Sequence, residues 1–181
     1  MITEKENKRI SKFLSYVLRH HPELIGIELD ENGWADVKLV IEQSNIFGVQ
    51  FDREILDFIV ATNNKKRFAY DETLTKMRAS QGHSINITLG YTAQEPPTLL
   101  YHGTASKYVD AILQHGILKQ SRQHVHLSKD FETAVQVGQR HGKPHVFTVL
   151  SAEMFKDNFQ FYQSENGVWL TDVVPNSYLK I

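Results

Sequence analysis

A polar stretch that carries two prolines, with a long helical pattern before it and a change of composition after it, most constrains what this sequence can fold into. Ile10, Phe13, Leu14, Val17 and Leu18 recur at i, i+3, i+4, i+7 and i+8, which is one face of an amphipathic helix. Past Thr98 the elements themselves alternate, short strands with helices. The boundary is Tyr91 to Thr98, which contains Gln94-Glu95-Pro96-Pro97 and reads as a linker. A chain of 181 residues divided there gives two lobes, expected at 1–95 and 96–181. Either could bury a core without disulfides or metal.

Local signals fill in the first lobe. Thr3 and Glu6 have the spacing of a capping box, so a helix is expected from about residue 4 to 20, closed by Pro22. Arg19, His20 and His21 are then left at its C-terminal end. Asn32-Gly33 reads as a turn, Val37 to Ile46 as a second helix, and Asp52 as the N-cap of a third running to about Ala61. Phe68 and Tyr70 alternate with polar neighbours, and Leu74 and Met77 follow, which suggests a hairpin. Three helices and a hairpin make a winged-helix-like unit.

The second lobe alternates its elements. Strands are expected at Leu99 to His102, Val125 to Ser128, His145 to Leu150, Phe159 to Gln163 and Val168 to Thr171. Helices are expected from Ser106 to His115, ended by Gly116, and from the Asp130 cap to about Arg140. The fold class is therefore α+β.

Composition excludes several kinds of chemistry. There is no cysteine, so no zinc knuckle, thiolate nucleophile, iron–sulfur cluster or disulfide framework can form. With 20 Lys+Arg against 21 Asp+Glu the net charge is −1, and neither half is a basic module, so any phosphate site must be local. The charged start and the lack of a long apolar run lead us to expect a cytoplasmic chain with no membrane partner. Histidine is the unusual count, nine in all and six of them from His102 onward.

Four basic clusters stand out: Arg19-His20-His21, Lys65-Lys66-Arg67, Arg78 with Gln81-Gly82-His83-Ser84, and Arg122 with His124 and His126. Arginine's planar fork matches phosphate oxygens, so such groups converging would hold a phosphate monoester. Each cluster alone reads as readily as a solvated helix end or turn. His124-x-His126 and His141-x-x-x-His145 have ligand-like spacings, but there is no HExxH and no metal is expected. No G-x-G-x-x-G follows a strand, and Gly142-Lys143 is followed by Pro144, so neither a Rossmann fingerprint nor a P-loop is present.

Leu99-Leu-Tyr-His-Gly-Thr104 at the end of a strand resembles the NAD-binding opening of ADP-ribosyltransferases. The wider pattern is closer to one branch, the RNA 2′-phosphotransferases of the KptA family. The likeness is carried by Leu14-Ser-Tyr-Val-Leu-Arg-His-His-Pro22, Asn32-Gly-Trp34, Lys66-Arg-Phe68, Met77-Arg-Ala-Ser-Gln-Gly-His-Ser84, Tyr101-His-Gly-Thr104, Arg122-Gln-His-Val-His-Leu-Ser128, Val137-Gly-Gln-Arg-His-Gly-Lys-Pro144 and Val168-Trp-Leu-Thr171. The family typically has Asn where Ser80 stands and a second Pro where Asn176 stands.

The resemblance implies an N-terminal winged-helix-like lobe for RNA joined to a C-terminal ADP-ribosyltransferase-like lobe for NAD+. It implies removal of an internal 2′-phosphate from RNA by transfer to NAD+, which is consumed. Arg19, His20, Arg67 and Arg122 match the family's catalytic set, which implies a cleft between the lobes. His102, Gly103, Thr104, Ser128, Arg140 and His141 would contact NAD+, and Gln81, Gly82 and His83 the incoming RNA phosphate. A phosphate monoester is largely ionised at neutral pH and is a nucleophile without a base, so the glutamate of other ADP-ribosyltransferases is not required. Two other readings stay open: an ADP-ribosyltransferase acting on terminal nucleic-acid phosphates, and a non-catalytic winged-helix sensor of NAD or ADP-ribose. Trp34, Trp169 and the phenylalanines are expected in the core, and the chain is expected to be a monomer.

Overall fold

The computed structural model describes residues 2–181. The chain divides into two compact units, one ending at Gly90 and the other beginning at Tyr91. The polar stretch at 91–98 is tied into the second of these, where the Gln94 N–H donates to the Phe161 carbonyl at 2.8 Å.

In the first unit, helix α1 spans Glu4–Arg19 and starts with both arms of the capping box. The Thr3 hydroxyl accepts from the Glu6 N–H at 3.2 Å, and the Glu6 carboxylate accepts from the Thr3 N–H at 3.0 Å. Its apolar face, Ile10, Leu14, Val17 and Leu18, is fully buried. Each such side chain contributes on the order of 1.5–3 kcal/mol. The helix stops at His20, and Pro22 opens a 3-10 turn, Pro22–Ile25. Strand β1 (Ala35–Asp36) leads into α2 (Val37–Phe47), capped by the Asp36 carboxylate. The Asp52 carboxylate in turn caps α3 (Arg53–Thr62). Strands β2 (Phe68–Tyr70) and β3 (Lys76–Ala79) form the expected antiparallel hairpin, with β1 added on the far side of β3. The core gathers Leu14, Leu18, Val40, Leu56, Ile59 and Met77.

The second unit holds three small sheets. Strands β4 (Leu100–Ala105), β7 (Pro144–Val149) and β11 (Leu179–Lys180) pair in the order β11-β7-β4; β6 (Val125–Leu127), β8 (Tyr162–Gln163) and β9 (Trp169–Thr171) pair as β6-β9-β8; β5 (Ile117–Leu118) pairs with β10 (Val173–Val174). A bridge between Tyr101 and Ser128, bonded in both directions at 2.9 and 2.7 Å, joins the first two sheets. Helices α4 (Val109–His115), α5 (Phe131–Gly138) and α6 (Ser151–Lys156) complete the unit. The mixture of helices and separate antiparallel sheets is α+β.

Several elements differ from expectation. The helix expected over 106–115 begins as a 3-10 turn, Ser106–Tyr108, and the Asp130-capped helix ends at Gly138 with a further 3-10 turn, Gln139–His141. Helix α6 carries no side-chain cap, which is why the sequence does not signal it. Trp169 is buried as expected. Trp34 is only half-buried and lies under Arg78, whose guanidinium carbon is 4.4 Å from the ring centroid. Among the described residues no helix is long and apolar enough to cross a membrane.

Candidate functional site

The Arg/His set of the first unit is assembled by one short segment, Ser80 to Ser84, that follows β3. The Ser80 N–H donates to the Arg67 carbonyl at 2.8 Å, and its hydroxyl donates to the Lys66 carbonyl at 2.7 Å. Lys66 itself sits at φ 41°, a left-handed turn that these two bonds hold in place. Ser80, where the family typically has Asn, is thus buried and engaged with the chain. Arg67 also reaches α1, where Nη1 lies 3.5 Å from the Ser11 hydroxyl, which accepts from Asn63 Nδ2 at 3.3 Å. At the other end of the segment the Ser84 N–H donates to the Arg19 carbonyl at 3.0 Å, and Ser84 Oγ lies 2.8 Å from His20 Nδ1. Arg19 and His20, and Arg67 some fifty residues further on, are therefore all anchored to the same five-residue span.

Gln81 and Gly82 are half-buried, and Gly82 adopts φ 88°, a conformation glycine reaches without strain. His83 turns inward. Its residue is 1% exposed, and neither ring nitrogen has a hydrogen-bond partner. Burial first, then the charges of Arg19, His20 and Arg78, push its pKa down to about 3. His83 is consequently neutral at physiological pH and is not a surface ligand.

In the second unit a cavity of about 570 Å³ is lined by His102, Gly103, Thr104, Arg122 and His141. Its size lies within the roughly 300–1,000 Å³ usual for small-molecule sites. Strand β4 supplies the first three. His102 Nδ1 donates to the His126 carbonyl at 3.2 Å, which fixes the proton on Nδ1 and leaves Nε2 as an acceptor. Burial, together with the charge of Arg122, holds the His102 pKa below the usual histidine range against the opposing effect of that hydrogen bond. Arg122 Nη1 donates to His126 Nδ1 at 2.8 Å, so one histidine links the arginine to His102. Desolvation of the guanidinium and the neighbouring charge of Arg140 lower the Arg122 pKa, although an arginine stays protonated throughout the accessible range.

Two expected contacts lie off the cavity lining. Ser128 is engaged in the Tyr101 bridge, and Arg140 is exposed in the turn after α5. Gly103 has a packing reason to be glycine, because an added Cβ would meet the Ala134 carbonyl oxygen at 1.7 Å where α5 crosses β4. Sequence reasoning missed Tyr108, His115 and Lys119 as lining residues, and considered His124 as part of the Arg122 basic cluster and as a metal ligand but not as a wall of the nucleotide cavity. The available signal was the run of histidines after His102. Lys119 pairs with Asp172 at 3.7 Å, and His124 meets the Tyr162 ring edge-on at 5.7 Å. Burial lowers the pKa of His124 most, with Lys119 adding and Asp172 opposing. Asn176, where the family typically has Pro, donates to the Leu113 and Gln114 carbonyls at the end of α4. Among the described residues there is no group of three or more His, Asp or Glu that could hold a metal ion.

In the second unit Arg122 stands with the neutral imidazoles of His102 and His124 on a largely apolar lining, an arrangement that suits an anionic ligand such as a phosphate ester. Residues 5–173 match the family described as "RNA 2'-phosphotransferase, Tpt1 / KptA family". The chain is 56% identical over 179 residues to a "Probable RNA 2'-phosphotransferase" of Flavobacterium johnsoniae, covering 99% of this chain and 98% of that one. It is 51% identical over 171 residues to a protein of the same description from Agrobacterium fabrum, covering 94% and 92%, and 47% identical over 178 residues to one from Escherichia coli, covering 98% and 97%. The chain belongs to the RNA 2′-phosphotransferase family.

Proposed function

We propose that this chain removes an internal 2′-phosphate from RNA, such as the one left at a tRNA splice junction, by transferring it to NAD+. A 2′-phosphate oxygen attacks the anomeric carbon of the nicotinamide ribose, and nicotinamide leaves. The product of that step is a 2′-phospho-ADP-ribosylated RNA. The adjacent 2″-hydroxyl then attacks phosphorus, releasing RNA with a free 2′-hydroxyl and ADP-ribose 1″,2″-cyclic phosphate. NAD+ is a co-substrate and no metal takes part.

The observation that carries this reading is the cavity of the second unit, where Arg122, His126 and His102 form a hydrogen-bonded chain in a family defined by phosphate transfer from RNA. His102 Nε2 would accept from a ribose hydroxyl, with Gly103 and Thr104 on the same cavity lining as further NAD+ contacts. His141, Arg140 and Ser128 would serve the pyrophosphate side. Arg19, Arg67 and Arg122 would neutralise the phosphoryl oxygens as charge builds at phosphorus, an electrostatic task for donors fixed in advance. His20 would exchange the proton between the two sugar hydroxyls. Gln81 and Gly82 would border the entering RNA phosphate, with the His83 ring backing Arg19 and His20 from inside.

We read the first unit as a winged-helix-like RNA-binding lobe, from its three helices followed by a β2–β3 hairpin, and the second as an ADP-ribosyltransferase-like lobe. We infer a monomer acting in the cytoplasm. The test is incubation of the purified chain with a short RNA bearing one internal 2′-phosphate, with and without NAD+, following the RNA on a gel and the small products by mass. NAD+-dependent dephosphorylation with nicotinamide and the cyclic phosphate is the expected result. A persistent ADP-ribosylated RNA would instead indicate a transferase that stops after one step, and NAD+ binding without reaction a sensor.

A further inference from the structure

We propose that Ser84 is a positioning residue that sets the orientation and tautomer of the His20 imidazole during phosphate transfer. The inference rests on the phosphotransferase reading above. Ser84 grips the end of α1 at two points, its N–H on the Arg19 carbonyl at 3.0 Å and its Oγ on His20 Nδ1 at 2.8 Å. The first bond satisfies one of the carbonyls that every helix end leaves without an intrahelical donor. The second fixes a ring. Because the first bond uses only backbone, a side-chain substitution removes the second alone.

The hydroxyl is held in place by the chain that leads into it. Upstream, Ser80 is bonded to the carbonyls of Lys66 and Arg67, and Gly82 turns the chain at φ 88°. Between them and Ser84, the His83 ring is sunk into the unit at 1% exposure. Ser84 itself is exposed, so its geometry comes from these anchors and not from packing around it.

A hydroxyl at this position has a chemical advantage over a carboxylate or a carbonyl. It can donate to Nδ1 when that atom carries a lone pair and accept when it carries a proton. In the second step the O2″–P bond forms and the O2′–P bond breaks, while one proton leaves O2″ and one is required at O2′. A histidine that takes this proton and returns it must change charge twice. With Nδ1 bonded to Ser84 in each state, the exchange passes through Nε2 and the ring does not turn between the two half-transfers.

The experiment compares wild type, Ser84→Ala and Ser84→Thr in single-turnover assays on the 2′-phosphorylated RNA with NAD+, alongside long-range 1H–15N spectra of His20 without substrates. Ser84→Ala should slow the second step by about tenfold to a hundredfold, a share of the roughly 10²–10⁴-fold effect of a positioned proton-transfer group. KM for both substrates should change by less than about twofold, the signature of an interaction that acts on the chemical step. Ser84→Thr, which keeps the hydroxyl at an exposed position, should restore most of the rate. The His20 15N shifts should move in the alanine variant and return in the threonine variant. An active wild type with an unaffected alanine variant and unmoved His20 shifts would overturn the role of Ser84 alone. Equal loss in both variants, or loss confined to RNA KM, would also overturn it. An inactive wild type would instead overturn the phosphotransferase reading, while the spectra still report whether Ser84 governs the His20 ring.

Discussion

His83 shows how much a single residue's environment decides. Its sequence position beside Arg78 and Ser84 suggests a surface contact to phosphate, yet the ring is buried and surrounded by the charges of Arg19, His20 and Arg78. Burial and those charges push its pKa down to about 3, against about 6.5 in the unfolded chain. The neutral ring is the folded form, so no stability is lost on this account above pH 6.5 or so. As pH falls through that value the unfolded chain takes up a proton that the folded chain refuses, and the penalty grows until the folded pKa is reached. One proton of difference is worth about 1.4 kcal/mol per pH unit, so between pH 7.5 and 5 wild type should lose up to about 2 kcal/mol that His83→Gln does not. Urea denaturation of both proteins at the two pH values measures this. Equal losses would mean that the folded protein accommodates the charged ring.

At the scale of elements, the packing of α5 on β4 sets a limit that the sequence does not display. Gly103 reads as a glycine kept small for a bound nucleotide, but the structure gives it a neighbour from its own chain, the Ala134 carbonyl, and gives Gly138 the same relation to the Thr104 carbonyl at 2.6 Å. Gly103→Ala must push the helix off the strand, and should cost about 3 kcal/mol, the upper part of the range for overpacking a close-packed contact. Its unfolding midpoint in urea is the measurement; a variant of unchanged stability that only loses nucleotide affinity would restore the simpler reading. The same scale separates what was legible from what was not. Helix α2, expected over Val37 to Ile46, has an Asp36 cap that the structure adds, while α1 announces itself by its period and its Thr3 cap and α3 by its Asp52 cap, both of which form. The two-residue strands β1, β5, β10 and β11 do not, because their pairing partners lie far along the chain and so short a segment has no period. The basic clusters could be picked out by residue type, and Arg19, His20, Arg67 and Arg122 within them by the family resemblance, whereas the Ser80–Ser84 clamp and the His126 link exist only as tertiary contacts.

For the whole molecule the balance of charge is the governing fact. With 20 basic and 21 acidic side chains there is no general field to attract RNA, so affinity has to come from a few phosphate contacts. For single strands the slope of log affinity against log salt is about −0.7 per phosphate contacted, so three contacts give roughly −2. Removing the 2′-phosphate from the RNA should then weaken binding about tenfold or more, one charge-assisted contact set being worth about 1.5–3 kcal/mol. The division of the chain into two units allows a sharper form of this expectation. Arg67→Ala, in the first unit, should abolish most of the preference for 2′-phosphorylated RNA and leave NAD+ affinity within about twofold, while His102→Ala, in the second, should weaken NAD+ and leave that preference intact. Filter binding with both RNAs and calorimetry with NAD+ on the same two variants supply the four numbers. A preference for phosphorylated RNA that survives Arg67→Ala would remove that arginine from phosphate recognition and leave the first unit's discrimination to Arg19 and His20.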